Sequence, residues 1–150
     1  MRSAELTLGR RFLVVLDPGE EILSTLAVWA AEHEVASATV DMFFGAFRGV
    51  GLIATHEPVA DPEPPLPARV DVAYVEGVGA GSIATVDGAP VAHLHMAAGA
   101  KDAGGAAYAG HVLHAETHYT VEVVVQEVLA PSFAPEPSAE FGIPCMHFRD

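Results

Sequence analysis

The sequence predicts an α+β domain: a largely antiparallel β-sheet with one main helix near the N-terminus. Three observations predict it. One early stretch carries Ile22, Leu26, Trp29 and Ala30 at helical spacing, which gives a single apolar face. Many short apolar runs follow, each bounded by Gly, Asp or Pro at hairpin spacing. The chain has 150 residues and is 51% hydrophobic, enough for residues 1–150 to fold as one domain around one core.

In chain order, residues 11–16 are an apolar run read as a strand. Asp17-Pro18-Gly19-Glu20 then reads as a helix start, with Asp17 as N-cap, Pro18 at the first helical position and Glu20 three residues after the cap. The helix is expected to end near 33–35. Residues 36–44 and 49–55 read as two strands around a Gly45-Ala46-Phe47-Arg48-Gly49 turn. Residues 57–69 hold Pro58, Pro62, Pro64, Pro65 and Pro67 among acids and lack apolar periodicity, so they read as a solvated, extended loop.

Residues 70–76, 81–86 and 90–97 read as strands, and Asp87-Gly88 is a strong two-residue hairpin signal. Residues 98–107 form a small-residue loop, and 108–114 and 117–128 are again strand-like. In the last of these, Tyr119, Val121, Val123 and Val125 alternate with Thr120, Glu122, Val124 and Gln126. Residues 130–150 form a Pro-punctuated tail expected to pack over a sheet edge. No internal repeat is present. A chain this rich in strands has edges to protect, and oligomerisation is one way to cover them.

Composition narrows the function. Cys145 is the only cysteine, which excludes an internal disulfide and a cysteine-rich zinc framework. No apolar run reaches the ~18 residues of a membrane span, and Met1-Arg2-Ser3-Ala4-Glu5 lacks the apolar region of a signal peptide. A cytoplasmic protein without a membrane partner is the simplest reading. Twenty acids against seven bases give a net charge of −13, and Lys101 is the only lysine. Phosphate backbones are held by clustered Lys and Arg, so direct nucleic-acid binding is disfavoured.

The chemistry concentrates in the histidines. His93 and His95 are one residue apart on an expected strand, which places both rings on one face about 6.5–7 Å apart along the chain. Leu94 and Met96 then point into the core. A His-x-His pair on a wet strand face also occurs without any ligand. The small-residue return through Gly110 to His111 is what favours a shared ion. Three imidazoles without a thiolate suit zinc or a similar divalent ion with an open position. A cupin also carries His-x-His on a strand, but 96–100 lack its glutamate and no Pro-x-Gly precedes His111.

The other histidines carry less. His114 and His118 are four residues apart in strand-like sequence, about 13 Å, and read as surface residues. His33 suits a helix C-terminus. His56 and His147 have no evident partner.

Several segments together resemble the plant-and-prokaryote-conserved (PPC) domain. They are Gly88-Ala89-Pro90-Val91-Ala92-His93-Leu94-His95, Asp102-Ala103-Gly104-Gly105, Ala109-Gly110-His111-Val112-Leu113 and Tyr119-Thr120-Val121-Glu122-Val123-Val124-Val125. Arg11-Phe12-Leu13, Gly19-Glu20 and Gly45-Ala46-Phe47 agree as well. Two departures stand out: Ala109-Gly110-His111 replaces Gly-Gly-His, and the Asp-Gly turn is stretched to Asp102-Ala103-Gly104.

The resemblance implies an α+β fold like that of acetolactate decarboxylase, a homotrimer, and a metal held by the three histidines. It also implies a DNA-binding label, which comes from plant members that join the domain to an AT-hook. This chain has no Arg-Gly-Arg-Pro hook core. The expected function is a binding and regulatory module with a metal, zinc by chemistry, and a small-molecule ligand at the site. The alternative is a zinc-dependent lyase or hydrolase on a small carbonyl or carboxylate substrate, with Glu122 as acid/base and Arg48 as carboxylate clamp.

Overall fold

A computed structural model describes residues 1–54, 69–104, 106–138 and 143–149. The elements are β1 (Thr7–Leu16), α1 (Ile22–Glu32), β2 (Ser37–Ile53), β3 (Val70–Val86), β4 (Ala89–Ala100), β5 (Ala107–Ala130), β6 (Ser132–Pro137) and β7 (Pro144–Arg149). Strand accounts for 72% of the chain described, and the sheet closes into a barrel. The expected α+β class is therefore corrected: this is a mostly-β fold with a single short helix among the described residues.

Closure depends on β5. One of its edges pairs with β2, from Ala38↔Glu127 to Ile53↔His111. Its other edge takes β1 at one end, to Leu16↔Val121, and β4 at the other, from His95↔His111 to Gly99↔Ala107. The sheet order β1-β5-β2-β3-β4 thus acquires a β4–β5 seam, and β5-β2-β3-β4 becomes a ring. Sequence reading finds strands one at a time; β4 and β5 are neighbours in the chain, whereas the β2–β5 pairing that completes the ring joins residues far apart.

Three expected breaks are not breaks. β2 runs straight through 45–49, β3 through 77–80 and β5 through 115–116. Gly45 (φ 152°) is not a turn residue; a Cβ there would strike the Thr120 carbonyl oxygen of β5. On β3, a Cβ at Gly77 would meet Met96 and Phe47, and one at Gly79 would meet Phe43 and the His95 carbonyl. These glycines make room for Phe43 and Phe47, which are fully buried and pack edge to face with ring centroids 6.3 Å apart. The Asp87-Gly88 expectation holds: both residues have positive φ (50° and 83°) and join Val86 to Ala89.

Helix α1 begins later than expected. Asp17-Pro18-Gly19-Glu20 is a turn: the Asp17 N–H donates to Glu20 Oε2 (2.7 Å) and Gly19 has φ 91°. Glu21 is the N-cap, accepting from the Ser24 N–H at 2.9 Å. Ile22, Leu26 and Ala30 are fully buried, and the helix packs mainly on β4. The tail forms a β6–β7 hairpin whose Phe133 and Ala134 bury against Ala84 and Val128. The Pro-rich loop expected at 57–69 lies outside the described residues except for Arg69, which pairs with Asp71. Among the described residues no helix is long and apolar enough to cross a membrane.

Candidate metal centre

β4 alternates as a half-buried strand should. Ala92, Leu94, Met96 and Ala98 face the core, while His93 and His95 face outward. His111 reaches them across the seam, directly opposite His95. Gly110 permits the approach: a Cβ there would stand 2.5 Å from the Ile53 carbonyl oxygen of β2. The glycine before the histidine is therefore a packing requirement of the closed ring.

The three rings converge. Their centroids are 5.0 Å (His93–His95), 4.9 Å (His93–His111) and 5.2 Å (His95–His111) apart. One nitrogen from each lies within 4.8 Å of the others, and His93 Nε2 and His95 Nε2 are 3.2 Å apart. Two nitrogens each about 2.0–2.1 Å from a tetrahedral ion stand about 3.3 Å apart, so this pair already has ligand spacing. Burial first, then the neighbouring His111 and His95, lowers the His93 pKa. Burial first, then His95, does the same for His111. Both shifts favour the neutral imidazole that coordinates a metal. Among the described residues no carboxylate or thiol joins the cluster. The donor set fits a divalent ion that keeps an open position.

Arg48 and Glu122 lie elsewhere. Arg48 donates to Glu116 Oε1 at 2.8 Å, and its neighbours Phe47 and Gly49 pair with Val75 and Ala73, far along β3 from the partners of the histidines. Glu122 sits between Val15 and Phe44. His118 is not a plain surface residue, since its ring lies against Tyr74 (5.5 Å) and Tyr119 (4.2 Å). His114 stands 3.9 Å from Glu21. His33 closes α1 as expected, with Nδ1 2.8 Å from the Trp29 carbonyl oxygen and its ring stacked on Trp29. His147 does have partners, Arg2 and Glu136, and His56 lies outside the described residues. No sequence signal announced Glu21, whose second oxygen accepts from the Ala115 N–H of β5.

The family model of the Plants and Prokaryotes Conserved (PCC) domain matches residues 3–129. No curated protein matches the sequence. Solved structures do match. A PPC protein of Pyrococcus horikoshii is 19% identical, with TM-score 0.83 over 98% of this chain and 97% of its own. A protein of Archaeoglobus fulgidus described as metal-containing is 22% identical, with TM-score 0.82 over 97% and 98%. A Ralstonia eutropha protein named as a candidate DNA-binding protein is 19% identical, with TM-score 0.74 over 90% and 89%. The likeness extends more loosely to acetolactate decarboxylase of Bacillus subtilis: 14% identity and TM-score 0.55, over 81% of this chain but 54% of the enzyme.

Proposed function

The chain belongs to the Plants and Prokaryotes Conserved domain family, and on that premise we propose that it is a homotrimeric binding and regulatory module built around one zinc ion held by His93, His95 and His111. The observation that carries this reading is the convergence of three ring nitrogens within 4.8 Å on the outer wall of the barrel. An all-imidazole donor set with an open position favours zinc, and a similar fold occurs in a protein described as metal-containing. When bound, the ion would supply a Lewis-acidic position for a small anionic or carbonyl ligand.

Self-assembly is supported by the outer face of the sheet. Leu13, Val15, Met42, Phe44 and Val78 are all exposed there, a contiguous apolar band that a monomer would leave wet. Direct DNA contact is not part of the proposal. The net charge is −13, and Arg10, Arg11, Arg48, Arg69 and Arg149 are each paired with an acid. The single cysteine suits a reducing compartment, and we place the module in the cytoplasm.

A second reading, a zinc-dependent lyase or hydrolase on a small carbonyl or carboxylate substrate, draws support from the outward-facing histidines and the likeness to acetolactate decarboxylase. Metal-dependent turnover in a panel of keto acids, hydroxy acids and esters, abolished by His95→Ala, would establish it.

Elemental analysis of the purified protein tests the main reading. One zinc per chain is expected in the native protein and none in His93→Ala. Equal metal in both would overturn it, and a monomer by light scattering would remove the trimer.

A further inference from the structure

β4 and β5 part just where the three histidines meet. One edge of β5 passes between successive partners. β4 takes it from Ala107 to His111, the segment Gly19–Glu21 takes it at Glu116 and Thr117, and β1 takes it from Val121 onward. Among the described residues no strand pairs with 112–115 on that edge. Helix α1 packs into this fork: Ile22, Leu26 and Ala30 are fully buried in one cluster with Leu94 and Met96 of β4 and Val112 and Ala115 of β5.

A single carboxylate ties the tip of the helix to the fork. Glu21 Oε1 accepts from the Ala115 N–H at 3.2 Å. Ala115 is fully buried, so water cannot replace that bond. The other oxygen serves the helix: Glu21 Oε2 accepts from the Ser24 N–H at 2.9 Å and from the Ser24 hydroxyl at 2.8 Å. Burial pushes the Glu21 carboxyl up, but the donors at Ser24, Ala115 and Leu23 outweigh it and hold it below the usual carboxylate value.

The opening of the fork matters to the histidines. His95 is fixed against His111 by strand pairing, because the two are directly opposite. His93 lies past the end of that ladder and has no β5 residue opposite it. Its 4.9 Å approach to His111 is therefore set by how far α1 holds the two strands apart. Both routes to Glu21 are short. His111 lies on the same strand as Ala115, four residues before it. His93 and His95 alternate with Leu94 and Met96, which pack with the buried face of α1.

We infer that Glu21 is a positioning residue for the metal centre: by tying the first turn of α1 to β5 it fixes the opening of the fork, and with it the approach of His93 to His111. Among the described residues no carboxylate joins the histidine cluster, so Glu21 acts at a distance and leaves the ion's open position free. This inference rests on the proposed three-histidine centre.

The experiment uses the full-length chain with Co²⁺ as probe, followed by titration and by the visible absorption bands, which report ligand geometry. Glu21→Asp is the test variant. Aspartate is a good helix N-cap, but it is one methylene shorter, so keeping Ser24 gives up Ala115. Glu21→Gln, with one acceptor oxygen for the two sides, is a second variant and should behave alike. Ser24→Ala is the control: it removes the hydroxyl at the cap and keeps the tie to β5. All three should fold as the native protein does by circular dichroism. Co²⁺ affinity should fall about tenfold in the Glu21 variants, the low end of what losing a ligand-orienting group costs, and their absorption bands should shift. Ser24→Ala should match the native protein in both readouts. Native affinity and bands in the Glu21 variants, or an equal loss in Ser24→Ala, would overturn the inference and leave the three-histidine centre standing. A native protein that binds no Co²⁺ would remove the centre and the role of Glu21 together.

Discussion

His95 and His111 face each other directly across the β4–β5 seam, with ring centroids 5.2 Å apart. They are the last pair of that ladder, at the point where β5 leaves β4 and continues along β2. The pairing that closes the barrel is therefore the pairing that assembles the candidate metal centre. A fault in closure should be read out as a fault in metal binding.

Gly79→Ala tests that coupling. The new Cβ would press on the His95 carbonyl and the Phe43 ring, and backbone cannot give way as a flexible side chain can. A cost of about 1–3 kcal/mol is expected, seen as a lower Tm, together with weaker metal binding through displacement of His95. Gly49→Ala is the control, because nothing lies within 4 Å of its Cβ and its φ is not in the left-handed region. Thermal melts and metal titration of both variants check this.

Phe43→Ala removes one of the largest buried side chains. It should cost about 3–5 kcal/mol. Chemical denaturation of the metal-free protein measures it free of any metal contribution.

Acid should act on the Arg10–Glu127 pair. The Arg10 side chain and backbone N–H hold the Glu127 carboxyl down to about 2. Its folded pKa lies below its unfolded value, so its contribution is present above about pH 4.5 and is lost as pH falls toward about 2. Glu127→Gln should therefore be less stable than the native protein at pH 7, with the gap narrowing through that window. Tm measured against pH for both proteins tests it.

Metal occupancy should also depend on pH. His93 and His111 have lowered pKa values, so both stay neutral below the ordinary histidine value of about 6.5. Bound metal should persist at pH 7 and be released under more acidic conditions, as protons win the nitrogens. Occupancy by elemental analysis after equilibration at stepped pH checks this. Full retention at pH 4 would point to carboxylate ligands instead.

The apolar band makes a prediction about assembly. Phe44→Glu places a charge beside Glu122 on an exposed strand face, so it should leave the fold intact and shift the protein to a smaller species in light scattering. An unchanged mass would exclude this face from the contact.

The histidine pair was legible because a strand alternates, and Leu94 and Met96 fixed which face was buried. Asp87-Gly88 was legible because a tight hairpin needs positive φ at both positions. Barrel closure was not, because the β2–β5 pairing that completes the ring is a long-range register that no local pattern encodes. Gly45 misled for a related reason: glycine serves turns and close backbone approaches alike, and here it lets Thr120 of β5 come near. The helix start was misplaced because Asp17 and Glu20 close a turn on each other, which leaves Glu21 to cap the helix.

The most direct test is anomalous diffraction at the zinc absorption edge from crystals of the native protein. The account predicts one peak per chain, about 2.0–2.1 Å from one nitrogen each of His93, His95 and His111. Rings at 93, 95 and 111 turned away from one another, with no peak between them, would contradict it.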